Sequence, residues 1–170
     1  MTLLKESILS QEMLKDILSY DKDTGVFIWI KKINPRSGKV KVGNIAGGLS
    51  NGYRVIKINN NNYCAHRLAW LYIYGKWPKN EIDHINGIRS DNRIENLRDV
   101  LHSENLQNQR NPRKNSKLGI MGASLHTDGR YQAHLKHNGK IKYIGLFDTP
   151  EQAHEAYLIE KRKIHKFCTI

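Results

Sequence analysis

Apolar positions recur along this chain at two periods, and each change of period marks an element. Behind Ser10, a candidate N-cap, Met13, Leu14, Ile17 and Leu18 fall on one helical face. Residues 20–25 carry turn chemistry, and Val26-Phe27-Ile28-Trp29-Ile30 predicts a strand. Lys31 to Lys41 is basic and holds Pro35 and Gly38, so it reads as a loop. Gly52 to Ile58 predicts another strand, Asn59 to Asn62 a turn, and Tyr63 to Ala65 a short returning strand. His66 to Tyr74, with Leu68, Trp70, Leu71 and Ile73, predicts a buried helix that stops at Gly75. Trp77-Pro78 then breaks the chain ahead of Ile82.

From Gln109 to Lys117 the pattern disappears. Arg110, Arg113, Lys114 and Lys117 are basic and no acid accompanies them, so the segment reads as a linker that can lie along phosphates. Beyond it, Gly122 to His126, Gly129 to His137 and Lys140 to Phe147 predict three strands, with Asn138-Gly139 as a tight hairpin turn. Thr149-Pro150-Glu151-Gln152 is a helix-start signature, and Ala153, Ala156, Tyr157 and Ile164 follow at helical spacing. The expected organisation is therefore residues 1–109, a basic linker over 110–117, and a small unit over 118–170, near the lower limit for folding alone.

Charge narrows the function. The 170 residues carry 28 Lys and Arg against 16 Asp and Glu, a formal net charge of +12. Such an excess attracts polyanions, and nucleic acid is the commonest. Lys31, Lys32, Arg36, Lys39 and Lys41 are solvated charges singly and a possible backbone track together. Cys64 and Cys168 are the only cysteines, which excludes a structural zinc held by cysteine pairs and implies no disulfide framework. No run of about 18 apolar residues could cross a membrane and no signal-peptide core is visible, so the expectation is a soluble cytoplasmic protein with no membrane role and no obligatory protein partner.

The densest chemistry is Asp83-His84-Ile85-Asn86-Gly87, followed by Ser90 to Arg98 and then Asn105. Hydrolysing a phosphodiester needs a base for water and a cation to offset charge on the phosphorane. A free histidine titrates at about 6.5, which suits His84 as the base. Asp83 offers a carboxylate and Asn105 an amide oxygen, donors that suit one hard divalent cation, Mg²⁺ with Mn²⁺ as the alternative. Asn96 is a candidate acceptor to hold the His84 ring. His102 could share a helical face with Asn105 and is a reserve ligand. His66 reads as a packing or hydrogen-bonding residue at a helix start.

These blocks carry a resemblance. His66-Arg67-Leu68, Ile82 to Gly87, Asp91 to Arg98 and Glu104-Asn105 occur in the order and spacing of the HNH endonucleases, of the phage and intron-encoded homing branch. The resemblance covers most of residues 11–109. It implies a ββα-metal fold, His84 as general base, Asp83 as metal ligand, Asn96 as the residue that orients His84, and Asn105 as second ligand. Many members place His where this chain has Asn105.

A second resemblance lies in residues 118–168. Gly122-Ala123-Ser124, Gly129 to Leu135, Asn138-Gly139-Lys140, Ile144 to Thr149 and Ala153 to Tyr157 resemble the AP2 DNA-binding domain. That implies a three-stranded sheet laid in the major groove with a helix behind it. Alternation nominates Arg130, Gln132, His134 and Lys136, with Ser124, His126 and Tyr143, for the groove face, and Tyr131, Ala133 and Leu135 for the helix face. Lys142 falls where a helix-facing apolar residue would be usual.

The fold class expected is α+β: a ββα-metal nuclease module, then a three-stranded antiparallel sheet with one helix. The function expected is a metal-dependent, site-directed endonuclease acting on double-stranded DNA. The alternatives are an inactive DNA-binding regulator built on such a nuclease, and an RNA-processing nuclease. The second is weaker because A-form RNA hides its major groove.

Overall fold

A computed structural model describes residues 6–32, 40–112 and 115–170. Arg36 and Lys39 of the basic loop, and Arg113 and Lys114 of the linker, lie outside them. The chain divides into two units, Met1–His102 and Ser103–Ile170. Among the described residues, no helix is long and apolar enough to cross a membrane.

In the first unit α1 spans Gln11–Ile17, and the Ser10 hydroxyl accepts from the Met13 N–H at 3.2 Å. The helix ends one residue earlier than its apolar face predicts. Leu18 is extended and starts β1 (Leu18–Asp21), which pairs antiparallel with β2 (Val26–Trp29), Leu18 opposite Trp29 and Tyr20 opposite Phe27. Leu18 is fully buried, which an apolar helix face and a core strand both require, so its residue type could not distinguish the two. Asp21 builds the hairpin turn by accepting from the Asp23 N–H at 2.9 Å and the Thr24 hydroxyl at 2.8 Å.

Next comes a three-stranded antiparallel sheet, β3 (Gly48–Ser50), β4 (Tyr53–Ile58) and β5 (Asn61–Cys64). The sequence pattern misses β3, which is short and exposed on all three residues. Helix α2 (Ala65–Tyr74) runs on from β5 and ends at Gly75. Its Leu68, Ala69 and Leu71 join Leu14, Leu18, Phe27, Ile56, Ile58 and Tyr63 in one core. Burying each of the larger of these side chains contributes about 1.5–3 kcal/mol. Strands β6 (Glu81–His84) and β7 (Leu97–Val100) close the unit as an antiparallel pair, with Ile82 and Leu97 anchored in that core.

A short helix, α3 (His102–Asn105), lies at the division between the units. The second unit orders its strands β10 (Lys140–Phe147), β9 (Tyr131–His137) and β8 (Ala123–Leu125), all antiparallel. Helix α4 (Pro150–Ile164) packs across the sheet and starts with the expected reciprocal cap between Thr149 and Gln152. Ala133, Leu135 and Ala153 are the buried apolar residues between sheet and helix.

Two lysines complete that layer. Lys142 stands opposite Leu135 on the helix side, where its ammonium meets Glu160 of α4 at 2.6 Å. Lys161 is buried, with its Nζ donating to the Gln109 carbonyl at 2.8 Å. That bond, with Arg110 donating to Thr169 and the Phe167 N–H donating to Gln107, ties residues 107–110 to α4 and the segment after it. The unit therefore begins well before residue 118, and Gln109 and Arg110 are fastened parts of it.

Candidate functional site

Strand β6 delivers Asp83 and His84 as consecutive residues, so their side chains leave opposite faces of the strand. Both are buried. On one face Asp83 stands opposite Arg98 of β7, whose Nε and Nη2 donate to Oδ2 at 2.8 and 2.6 Å. On the other face the His84 ring lies edge-on to His66, with centroids 5.1 Å apart, and 6.0 Å from Tyr53.

The His84 ring is held from the loop that follows it. Nε2 lies 3.3 Å from Oδ1 of Asn92, which is 1 % exposed. The other end of that carboxamide, Nδ2, donates to the Ser90 carbonyl at 3.2 Å. A carbonyl only accepts, so the amide nitrogen must face Ser90 and the amide oxygen must face His84. The hydrogen bond then requires the proton on Nε2, which leaves the lone pair of the neutral ring on Nδ1. Burial holds His84 below the usual histidine range, against a smaller opposing effect of the Asn92 bond and the Asp83 charge, and so favours the neutral ring.

Asn96 has a different task from the one its position suggests. Its Oδ1 accepts from the Asn86 N–H at 2.9 Å and its Nδ2 donates to the Asp91 carbonyl at 2.8 Å. The carboxamide thus bridges the two ends of residues 86–91, and the expected contact with the His84 ring is made by Asn92 instead. Both asparagines lie in the same block, and spacing alone could not decide between them. The loop is braced further by Asn86 Nδ2 on Asp91 Oδ2 at 2.6 Å and by the Arg93 guanidinium, whose Nε and Nη2 meet the two Asp91 oxygens at 2.9 and 2.8 Å. Arg93 holds the Asp91 carboxyl down at about 2. Asn96 is buried, and leaving its carboxamide unpaired would cost about 1–3 kcal/mol, which helps keep the loop in one shape.

Arg89 projects from that loop over the Tyr53 ring, 5.0 Å from its centroid, and donates to the Asn51 carbonyl at 3.2 Å. His66 packs beneath, 5.4 Å from Tyr53, as the sequence reading expected of it. Its Nδ1 is buried and has no hydrogen-bond partner among the described residues.

Burial, with the neighbouring His84 charge second, pushes His66 down to about 3. An unfolded histidine takes up its proton near 6.5, so between those values the unfolded chain binds a proton that the folded chain refuses. Stability is complete above pH 6.5 and falls by about 1.4 kcal/mol per unit below it. Unfolding by urea from pH 7 to pH 4 should show this acid limb, and His66→Phe should make it shallower. Equal slopes in the two proteins would show that another group titrates.

The remaining expected ligands are placed as follows. Asn105 ends α3 and falls in the second unit. His102 is exposed and meets Glu81 Oε1 through Nδ1 at 2.8 Å. No group of three His, Cys, Asp or Glu side chains fit to hold a metal occurs among the described residues. A hard divalent cation does not need one. It keeps several waters and takes one or two oxygen donors, so the Asp83 carboxylate is a suitable donor and a carboxamide a suitable second.

In the second unit the sheet face opposite α4 collects Ser124, Gln132, His134, Lys136 and Tyr143. Gln132 is in register with Ser124 and donates to its hydroxyl at 3.1 Å, and His134 is in register with Tyr143. A bulge between Tyr143 and Gly145 shifts the later part of β10, so Leu146 stands opposite Gln132. Arg130 and His126 flank the β8–β9 turn, where both meet the Asp128 carboxylate, at 2.8 and 2.9 Å. Arg110 is engaged by Thr169, fifty-nine residues away in the chain.

Residues 63–107 match the HNH endonuclease family model, a stretch that runs from β5 through the His84 loop to α3 and supports a nuclease of the HNH kind. No curated protein matches the chain, and no solved structure does.

Proposed function

We propose that this protein is a metal-dependent endonuclease that hydrolyses phosphodiester bonds in double-stranded DNA at a chosen site, in the manner of homing nucleases. The observation that carries the reading is the buried His84, held by Asn92 as the tautomer with its lone pair on Nδ1, next to the Asp83 carboxylate inside the matched segment.

His84 takes the proton of the attacking water at Nδ1 and passes positive charge to a ring whose Nε2–H is already bonded to Asn92. Asn96 keeps residues 86–91 in place around it, and Arg89 offers a guanidinium to a phosphate oxygen. Asp83 leaves the opposite face of β6, where Arg98 holds its carboxylate. Asp83 and, on the resemblance alone, Asn105 would hold Mg²⁺ or Mn²⁺. When bound, that ion would supply charge neutralisation at the phosphate and the leaving oxygen. Strand breaks in duplex DNA should need Mg²⁺ or Mn²⁺ and stop with EDTA. Intact DNA under both ions would contradict the reading.

The AP2-like sheet would fix register on the duplex through Ser124, His126, Arg130, Gln132, His134, Lys136 and Tyr143, and the basic residues Arg110, Arg113 and Lys114 would follow phosphates. Lys136→Ala should weaken binding to all sequences alike and lower the salt-dependence slope by about one. Gln132→Ala should instead relax discrimination at one base position by about 1–3 kcal/mol. Titrations of specific and random duplexes over a salt series separate the two, and identical effects would place neither residue in the groove.

One observation favours a second reading, a DNA-binding protein without catalysis. Arg98 forks onto Asp83, the carboxylate that would hold the ion. Binding without breaks is its outcome in the same experiment.

A further inference from the structure

Asn92 is held from outside the matched segment. The β1–β2 hairpin, residues 18–29, precedes Tyr63 by more than thirty positions in the chain, yet its tip lies on the peptide that carries Asn92. The Tyr20 hydroxyl donates to the Asn92 carbonyl at 2.6 Å. The Ile94 N–H reaches the Lys22 carbonyl at 3.4 Å. Gly25, at φ +72°, sits so close that a Cβ there would come 2.5 Å from the Asn92 carbonyl carbon and 2.5 Å from the Arg93 nitrogen.

We infer that this hairpin is a positioning element for His84, acting through the backbone of Asn92. Three contacts fix that backbone from one side, and the Asn92 side chain transmits the constraint to Nε2 of the ring. The hairpin itself is stiff. Tyr20 packs tilted against Phe27 with ring centroids 4.6 Å apart, Phe27 is fully buried, and Asp21 closes the turn with two side-chain bonds. A stiff tip against a single peptide has no slack, so its shape sets where the Asn92 carboxamide points. Tyr20 and Gly25 are therefore positioning residues. They touch neither the ring nor the phosphate.

The inference rests on the reading of His84 as the base, and the test keeps the two apart. Long-range ¹H–¹⁵N spectra of the metal-free protein report which His84 nitrogen carries the proton, with no DNA present. Wild type should show the Nε2–H form. Tyr20→Phe, which keeps the ring and loses the hydroxyl's contacts with the Asn92 carbonyl and the Ile94 N–H, should move the His84 signals toward a mixture of tautomers. Gly25→Ala should do so further. Leu14→Ala, which weakens the same core without altering the hairpin tip, should leave the signals in place.

In single-turnover cleavage the cost should fall on the rate, by about a hundredfold for Gly25→Ala, the scale of an ångström-sized misplacement, and by about tenfold for Tyr20→Phe, the scale of one lost hydrogen bond. DNA affinity should stay within about twofold of wild type, as expected when only transition-state contacts are lost. Unchanged His84 signals in a folded Tyr20→Phe protein would overturn the inference, whatever the cleavage result. Changed signals in a wild type that cuts no DNA would uphold the positioning role and count against the nuclease reading alone.

Discussion

His84→Ala should abolish cleavage while leaving DNA binding nearly intact. Removing a positioned general base costs about 10²–10⁴ in rate. Neither His66 nor Asn92, which contact the ring, can substitute. His66 lies against it at 5.1 Å but is buried, and its own environment pushes it down to about 3. Asn92 has no titratable proton. Binding should survive because the expected DNA contacts lie on the sheet face of the second unit and along the basic residues, and His84 itself is only 5 % exposed. The cavity left by the ring invites a chemical control, in which added imidazole restores part of the rate. The decisive comparison is cleavage at saturating protein beside a titration of the same duplex. Equal loss of both would make His84 a structural residue.

Gly122→Ala should unfold the second unit without disturbing the first. Gly122 has φ +73°, and a Cβ on it would fall 2.0 Å from Cγ and 2.1 Å from Cδ2 of Tyr157, inside the ring. The ring cannot retreat cheaply, because Tyr157 is on the inner side of α4 with the Lys161 ammonium 5.7 Å from its centroid. Left-handed strain for a non-glycine residue and overpacking together cost about 2–5 kcal/mol, as much as a small unit of this kind commonly has in total. Hydrogen exchange by segment tests it. Amides of β9 and β10 should lose protection while those of β4 and β5 keep theirs. Retained protection in β9 would mean that Tyr157 moves aside more easily than the packing implies.

Local chemistry in this chain was legible, and long-range partnership was not. The cap at Thr149 to Gln152 is built by residues three apart, so the sequence specifies it directly. The same holds for Ser10 and for the Asn138-Gly139 turn between β9 and β10. Strands β6 and β7 escaped the hydrophobic pattern because Asp83 and His84 are polar and buried, and only the resemblance to HNH endonucleases pointed to them. Alternation put Lys142 on the helix side, but not the Glu160 eighteen residues on that meets its ammonium, and nothing local marks Lys161 as the lysine buried against Gln109. The exchange of roles between Asn92 and Asn96 has the same origin. Which carboxamide meets the His84 ring depends on how a hairpin more than sixty residues earlier seats the loop, and no spacing within the motif encodes that.

The proposed role of His84 as the base of a site-directed nuclease can be tested in one experiment. The most direct measurement is to sequence the ends produced from DNA incubated with wild type or His84→Ala, in Mg²⁺ or in EDTA. Breaks should fall at discrete positions and require both the ion and His84, and their pattern on the two strands will show nicking or double-strand cleavage. Tight binding with no breaks under Mg²⁺ or Mn²⁺, or breaks that persist in His84→Ala, would contradict it.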